Sequence, residues 1–419
     1  MNIISILCLL IFFSLFVSLF IKGTDIFAPG RLFTMIWSFA IGLTEFKLSR
    51  LQYDWPLYGW ILLLISIISV LLGIFVIYVI NFNKKIYSID YIRTLQKNYK
   101  LDTKSFIKIL ILLFLIYSIS YIVIYSVVGY IPIFTRNPND TRTKWSLFGF
   151  GLLIHLAPTI IYFIILFFVL IKKQYIKKII LFLIMLITLI TFLLLLQRFG
   201  LLISIVLTVV FIYYGTHKFN YKTVIIALII LAGLSYSILS LRAGGLILEY
   251  LHYTSKMKYS IKYSIFTEPY MYVVMNLENF TYATSKIEEY TYGLYTFDFL
   301  FAITGLKHWL KEYIGLNDTP FLLSKNYNTY SMFFVFYRDF GILGLFFLSF
   351  LFGIIVSLLY YRMRKEPNIN TISIYGIFVL VILFSFFNPM LSWLFFIFNI
   401  VIIYLVSYII NIRSLGRRG

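Results

Sequence analysis

The chain has 419 residues, of which 61% are hydrophobic and 12% charged, with a formal net charge of +20. Several apolar runs approach the length needed to cross ~30 Å of hydrocarbon, which excludes a soluble protein built around one core. In a soluble chain such a charge would point to nucleic acid. Here it follows from basic loops beside membrane spans, so anionic lipid or a phosphate-bearing substrate is the better partner class and no nucleic acid is expected.

The first apolar run holds the single cysteine, Cys8, so no disulfide within the chain and no zinc or iron–sulfur spacing is expected. No basic residue precedes this run and no A-x-A cleavage site follows, which marks it as a retained helix. Further runs fall near 31–44, 57–80, 106–128, 147–171, 179–196, 200–214, 223–241, 332–359, 371–388 and 391–410. The pattern predicts an all-α polytopic membrane protein of about eleven transmembrane helices. About eight helices lie in 1–241 and about three in 332–419, with a long amphipathic segment, 242–331, between them. Lys84, Lys85, Arg93, Lys97, Lys100 and Lys104 crowd one connection, and Lys172, Lys173, Lys177 and Lys178 another. Arg362, Arg364 and Lys365 mark a third, and Arg413, Arg417 and Arg418 close the chain. The excess of Lys and Arg puts all of these in the cytoplasm and 242–331 on the outer face.

The outer segment carries eight basic and eight acidic residues and many tyrosines. Lys256, Lys258 and Lys262 alternate with Tyr253, Tyr259 and Tyr263, which predicts short amphipathic helices at the interface, where a phenol ring has one wet end. Three Asn-x-Thr sequons, at Asn139, Asn279 and Asn317, read as chance in a chain of this composition. Glu268, Glu278, Glu288, Glu289, Asp298, His252 and His308 are candidate bases, and the spacing selects none of them. No P-loop, no Gly-x-Ser-x-Gly and no metal-type motif occurs, so neither metal nor cofactor is expected.

Arg198, Arg242 and Arg338 stand apart from the cytoplasmic clusters, each at the predicted outer end of a helix. Arginine is planar, permanently charged and bidentate towards phosphate, so three at one depth predict a diphosphate clamp. Taken singly, each is an ordinary snorkelling residue. Arg136 and Arg142 add an outer basic loop. Arg338 and Asp339 lie inside the start of a span, where charge faces protein or a wet cavity, and a mutual ion pair is the structural alternative.

Tyr290-Thr-Tyr-Gly-Leu-Tyr-Thr, a stretch with Trp309, Thr319-Pro320, and Asn328-Thr-Tyr followed by Tyr337-Arg-Asp-Phe-Gly-Ile-Leu-Gly344 carry a resemblance. Together they resemble the bacterial oligosaccharide repeat-unit polymerases (Wzy type), over about 55 residues. The resemblance implies a multi-pass enzyme of the bacterial inner membrane, similar to O-antigen ligases and GT-C-like glycosyltransferases, with its active site facing the periplasm. It implies metal-independent, inverting polymerisation of polyprenyl-diphosphate-linked repeat units of a surface polysaccharide, beside a flippase and a chain-length regulator. Glu268, His308 and Asp339 are then the catalytic candidates. Asn328, Tyr330 and Tyr337 join the arginines as substrate-binding ones. Gln197 departs from the small residue that related chains place before the arginine matched by Arg198. An O-antigen-type ligase and a flippase for the same lipid are the rival readings; the helices lack the scattered charge expected of ion-coupled transport.

Overall fold

The computed structural model describes residues 3–21, 23–97, 99, 101–171, 174–217, 233, 247–307, 309–310 and 321–415. Every regular element among them is helical. In chain order these are α1 (Ile3–Ser18), α2 (Pro29–Thr44), α3 (Leu57–Asn81), α4 (Ile89–Lys97) and α5 (Thr103–Val128). Then come α6 (Pro138–Lys144), α7 (Phe150–Ile154), α8 (Ala157–Leu170), α9 (Tyr175–Leu194) and α10 (Arg198–Gly215). The polar segment holds α11 (Ile247–Thr254), α12 (Thr267–Thr284) and α13 (Asp298–Thr304). The chain closes with α14 (Phe333–Lys365), α15 (Ile369–Phe384) and α16 (Leu394–Leu415).

Among the described residues, six helical stretches are long and apolar enough to cross a membrane, and α1, α10 and α15 are shorter apolar helices. The protein is therefore a polytopic helical membrane protein. Of the eleven expected runs, ten begin and end close to helices, and of 223–241 only Gly233 is among the described residues. The run at 147–171 breaks into α7 and α8 because Pro158 sits in the first turn of the second helix, where its missing N–H costs nothing. α2 has 16 residues, about 24 Å of helix, and ten are buried, so it is as much a core helix as a span.

The chain divides into two compact units. One comprises Met1–Lys85, Leu248–Tyr361 and Val381–Ile397; the other comprises Ile86–Ile247, Arg362–Leu380 and Phe398–Gly419. In the first, α3 crosses α14 at glycines. A Cβ on Gly73 would stand 2.2 Å from the Phe350 carbonyl oxygen, and one on Gly353 would stand 2.2 Å from that of Val70. Helices in lipid gain nothing from a hydrophobic effect between them, so close backbone packing through small residues holds such a crossing.

In the second unit one end gathers the basic connections. Arg93 Nε donates to the Tyr213 carbonyl at 2.9 Å and Gln96 Nε2 to that of Pro367 at 3.1 Å. Arg364 reaches the Tyr87 carbonyl at 2.9 and 2.7 Å through two nitrogens, and Tyr99 donates to Asn411 Oδ1 at 2.5 Å. The cationic segments around 93–97, 362–365 and the end of α16 thus share one end, as a common side of the membrane requires.

The polar segment departs from the expected surface helices. Tyr253 and Tyr263 are exposed beside exposed Lys256, Lys258 and Lys262, but thirteen of the eighteen residues of α12 are buried. α12 is a polar core helix. Asn279 is fully buried and donates to the carbonyls of Tyr327 and Thr329 at 2.8 and 3.0 Å, which removes it as a glycan acceptor.

The glycine crossing gives the first prediction. Gly73→Val and Gly353→Val push a side chain into a backbone that cannot yield. Each should lower stability by about 3 kcal/mol, the upper end for overpacking. Gly30→Ala, whose Cβ meets only Ile74 Cγ2 at 3.6 Å, should leave the melting temperature unchanged. Equal melting of all three variants would refute the close crossing.

Candidate functional site

The site is built where the stretch 287–298 wraps around the start of α14. Asp339 is fully buried, and a carboxylate there must be satisfied at each oxygen. Its Oδ1 accepts from the Thr291 hydroxyl at 2.5 Å and the Tyr295 amide at 3.1 Å, and its Oδ2 accepts from the Thr296 amide at 2.6 Å. Backbone links add to this: the Thr291 amide donates to the Arg338 carbonyl and the Tyr292 amide to the Asp339 carbonyl, both at 3.1 Å. Asp339 thereby fixes the loop.

Two glycines make the wrapping possible. Gly341 has φ +59° and ψ −142°, a conformation that only glycine adopts without strain, and a Cβ there would strike the Tyr290 hydroxyl at 2.6 Å. A Cβ on Gly344 would lie 2.1 Å from the Phe336 carbonyl oxygen. The helix breaks at Gly341, where the loop comes close, and Gly344 is needed where the chain past that break packs on the backbone of Phe336.

Arg338 does not pair with its neighbour. It is half-buried, its guanidinium donates to the Glu289 carbonyl at 2.5 Å, and it lies 5.9 Å from the Tyr295 ring centroid. Burial pushes the Tyr295 phenol up while the Arg338 charge and hydrogen bond pull it down. Among the described residues no carboxylate forms an ion pair with Arg338. Aromatic rings extend from it. Tyr295 meets Phe334 edge-on at 6.1 Å, and Phe334 stacks on Tyr330 at 3.8 Å. Tyr290 meets Tyr337 edge-on at 6.2 Å, and the Tyr337 hydroxyl pairs with that of Tyr58 at 3.0 Å. Tyr330 and Tyr337 are buried, and Asn328 is exposed.

A second polar cluster lies on α12. Glu278 is fully buried; its Oε1 accepts from Lys47 Nζ at 2.9 Å and Gln52 Nε2 at 3.1 Å, and its Oε2 accepts from Trp55 Nε1 at 2.8 Å. Burial pushes its carboxyl up, against the pull of Lys47 and the other donors. Lys47 also donates to the Tyr53 carbonyl at 2.7 Å and lies 3.3 Å from Glu45. Glu268, half-buried in the first turn of α12, lies near Tyr327, whose phenol is pushed up chiefly by burial and further by the Glu268 charge. His252 is held at both ring nitrogens, by the Thr267 hydroxyl and the Tyr259 carbonyl, each at 3.0 Å.

Of the residues singled out from sequence, Arg338, Asp339, Tyr330 and Tyr337 come together in the first unit. Arg198 opens α10 in the second unit, where exposed Arg136 and half-buried Arg142 also belong; the Arg198 side chain lies outside the described residues. Arg242 and His308 also lie outside them. Sequence reasoning did not assign Tyr58, Thr291, Tyr295 or Lys47 to a site. The only signal for two of them was their place in Tyr290-Thr-Tyr-Gly-Leu-Tyr-Thr, the stretch that now proves to clasp Arg338–Gly341. No protein-family model, curated protein or solved structure matches the chain.

The anchoring role of Asp339 is testable. Asp339→Asn turns one acceptor into a donor and leaves a buried amide unpaired, at a cost of about 1–3 kcal/mol. Hydrogen exchange at the Tyr295 and Thr296 amides should accelerate by one to two orders of magnitude, by about a decade per 1.4 kcal/mol. Unchanged exchange would refute the clasp.

Proposed function

We propose that this protein polymerises polyprenyl-diphosphate-linked oligosaccharide repeat units at the outer face of a bacterial cytoplasmic membrane. One observation supports the reading above the rest: Arg338 is a half-buried cation at the start of a membrane helix, with no carboxylate partner among the described residues and tyrosines on either side. The neighbouring carboxylate is engaged by loop donors, so the guanidinium charge is available to an anion. Aromatic rings suit the apolar faces of sugars, and phenol hydroxyls suit their edges.

In the proposed reaction a hydroxyl of one lipid-linked unit attacks the anomeric carbon of a second lipid-linked glycan. A carbon–oxygen bond forms, the bond to polyprenyl diphosphate breaks, and the bonding pair leaves with the diphosphate. Arg338 stabilises the charge that develops on that group. The hydroxyl proton passes to a base, for which Glu268 and His308 remain the candidates. Asp339 acts on the site by positioning Arg338 and the 290–296 stretch. Substrate lipid, bilayer, flippase and chain-length regulator are the partners of this reading.

The experiment uses purified protein, the lipid-linked repeat unit and a chelator, without nucleotide sugar. A ladder of polymer should form. Arg338→Lys keeps the charge and removes the bidentate fork, so abundance should persist while the rate falls about a hundredfold, the equivalent of ~3 kcal/mol. Full polymerisation by the Lys variant would remove Arg338 from the clamp. Absence of any ladder from the wild-type protein would overturn the polymerase reading.

A further inference from the structure

The stretch from Phe297 to Trp309 exposes apolar side chains in a segment that holds no candidate membrane span among the described residues. α13 and the helical residues after Gly305 leave Phe297, Leu300, Ile303, Leu306 and Trp309 exposed, Ile303 at 61% and Trp309 at 79%. A soluble surface seldom carries so many large apolar groups along thirteen residues unless something covers them. The two described charges of this stretch neutralise each other, since Lys307 Nζ lies 2.6 Å from Asp298 Oδ1.

Its position names the occupant. Thr296, immediately before this stretch, is fixed to Asp339 by a 2.6 Å hydrogen bond. Just past the break at Gly341, α14 turns lipid-compatible residues outward, with Ile342, Leu343, Phe346 and Phe347 all exposed. Leu300 follows Thr296 by four residues, and Leu343 follows Asp339 by four, so exposed apolar side chains come soon after both ends of the anchor. Exposed apolar residues of the strap and of a candidate membrane helix thus both start from the same anchor. Trp beside aliphatic residues, with a Lys at the edge, is the composition that settles at the boundary between headgroups and acyl chains.

We infer that residues 297–307, with Trp309, form an interfacial strap that docks on the bilayer surface at the level where α14 enters the membrane, with Leu300, Ile303 and Trp309 inserted. Because Asp298 and Lys307 neutralise each other, docking is driven by apolar burial and does not depend on lipid charge. The inference stands on exposure and anchoring and is separate from the polymerase reading. Its consequence is mechanical: the strap carries the loop that holds Arg338, so bilayer contact sets the depth of that guanidinium.

The test uses the full chain with Cys8→Ser, the only native cysteine, and nitroxide labels at Ile303→Cys, Leu343→Cys and Lys325→Cys, in nanodiscs. Leu343 is the lipid-facing reference and exposed Lys325 the aqueous one. The ratio of collisions with oxygen to collisions with a water-soluble nickel chelate should be several-fold higher at 303 than at 325. It should be the same in zwitterionic and anionic discs. As an independent reading, Trp309→Phe should remove a component of the quenching by lipids brominated near the headgroup. A ratio at 303 equal to that at 325 would overturn the inference. So would shielding from both reagents, which would mean that protein, such as a second copy, covers the strap; and so would insertion only in anionic discs.

Discussion

The arrangement depends on how a buried carboxylate is satisfied. Asp339 lies at no measurable exposure near the start of a membrane helix, where an unpaired charge would cost several kcal/mol. An adjacent arginine is the obvious remedy, and the chain does not use it. One hydroxyl and two amides from a stretch more than forty residues earlier take both oxygens. Hydrogen bonds to a charged acceptor are about twice as strong as neutral ones, so three of them fix the loop register as well as the charge. The guanidinium next door is left to other work.

A similar economy operates in α12, where successive polar residues brace two separate segments. Glu278 holds the connection between α2 and α3 through Lys47, Gln52 and Trp55, while Asn279 holds the backbone at Leu323, Tyr327 and Thr329. Adjacent positions on a helix point about 100° apart, so one turn faces both clients. A fully buried carboxylate, amide and several threonines make this a high-stakes helix: complete satisfaction fixes one arrangement, and loss of any partner leaves a buried group stranded. The stretch ahead of α14 thus takes its place from a helix that is itself tied to the first helices of the chain.

How much of this could be read from the sequence follows from which interactions are local. Ten apolar runs became helices because hydrophobic length is a local property, whereas the breaks at Pro158 and Gly341 lay inside runs expected to be continuous. The buried state of α12 was hidden, because its polar residues have the composition of a surface helix and Glu278 and Asn279 find their partners 44 to 231 residues away along the chain. Nor does spacing distinguish an Asp that pairs with its neighbouring Arg from one that pairs with a loop. The two motifs quoted for the family resemblance, around Tyr290 and around Arg338, are in contact in the structure. That contact accounts for the Gly and Thr positions in physical terms, whatever reaction the site performs.

The position of Arg338 also bears on why arginine is used there. A guanidinium at the start of a span sits where effective dielectric falls well below that of water, and attraction to a phosphate group grows accordingly. Lysine there would offer a point charge without the planar fork, whereas arginine presents several donors in fixed geometry. Its planar group can also rest near the Tyr295 ring while one nitrogen is held by the Glu289 carbonyl, which orients the remaining donors before any ligand arrives. On the proposed reading, preorganisation of that kind lets the guanidinium stabilise developing charge rather than only reach a headgroup. The Asp339 clasp supplies it by fixing Tyr295 and Arg338 relative to one another through the backbone rather than through the arginine itself.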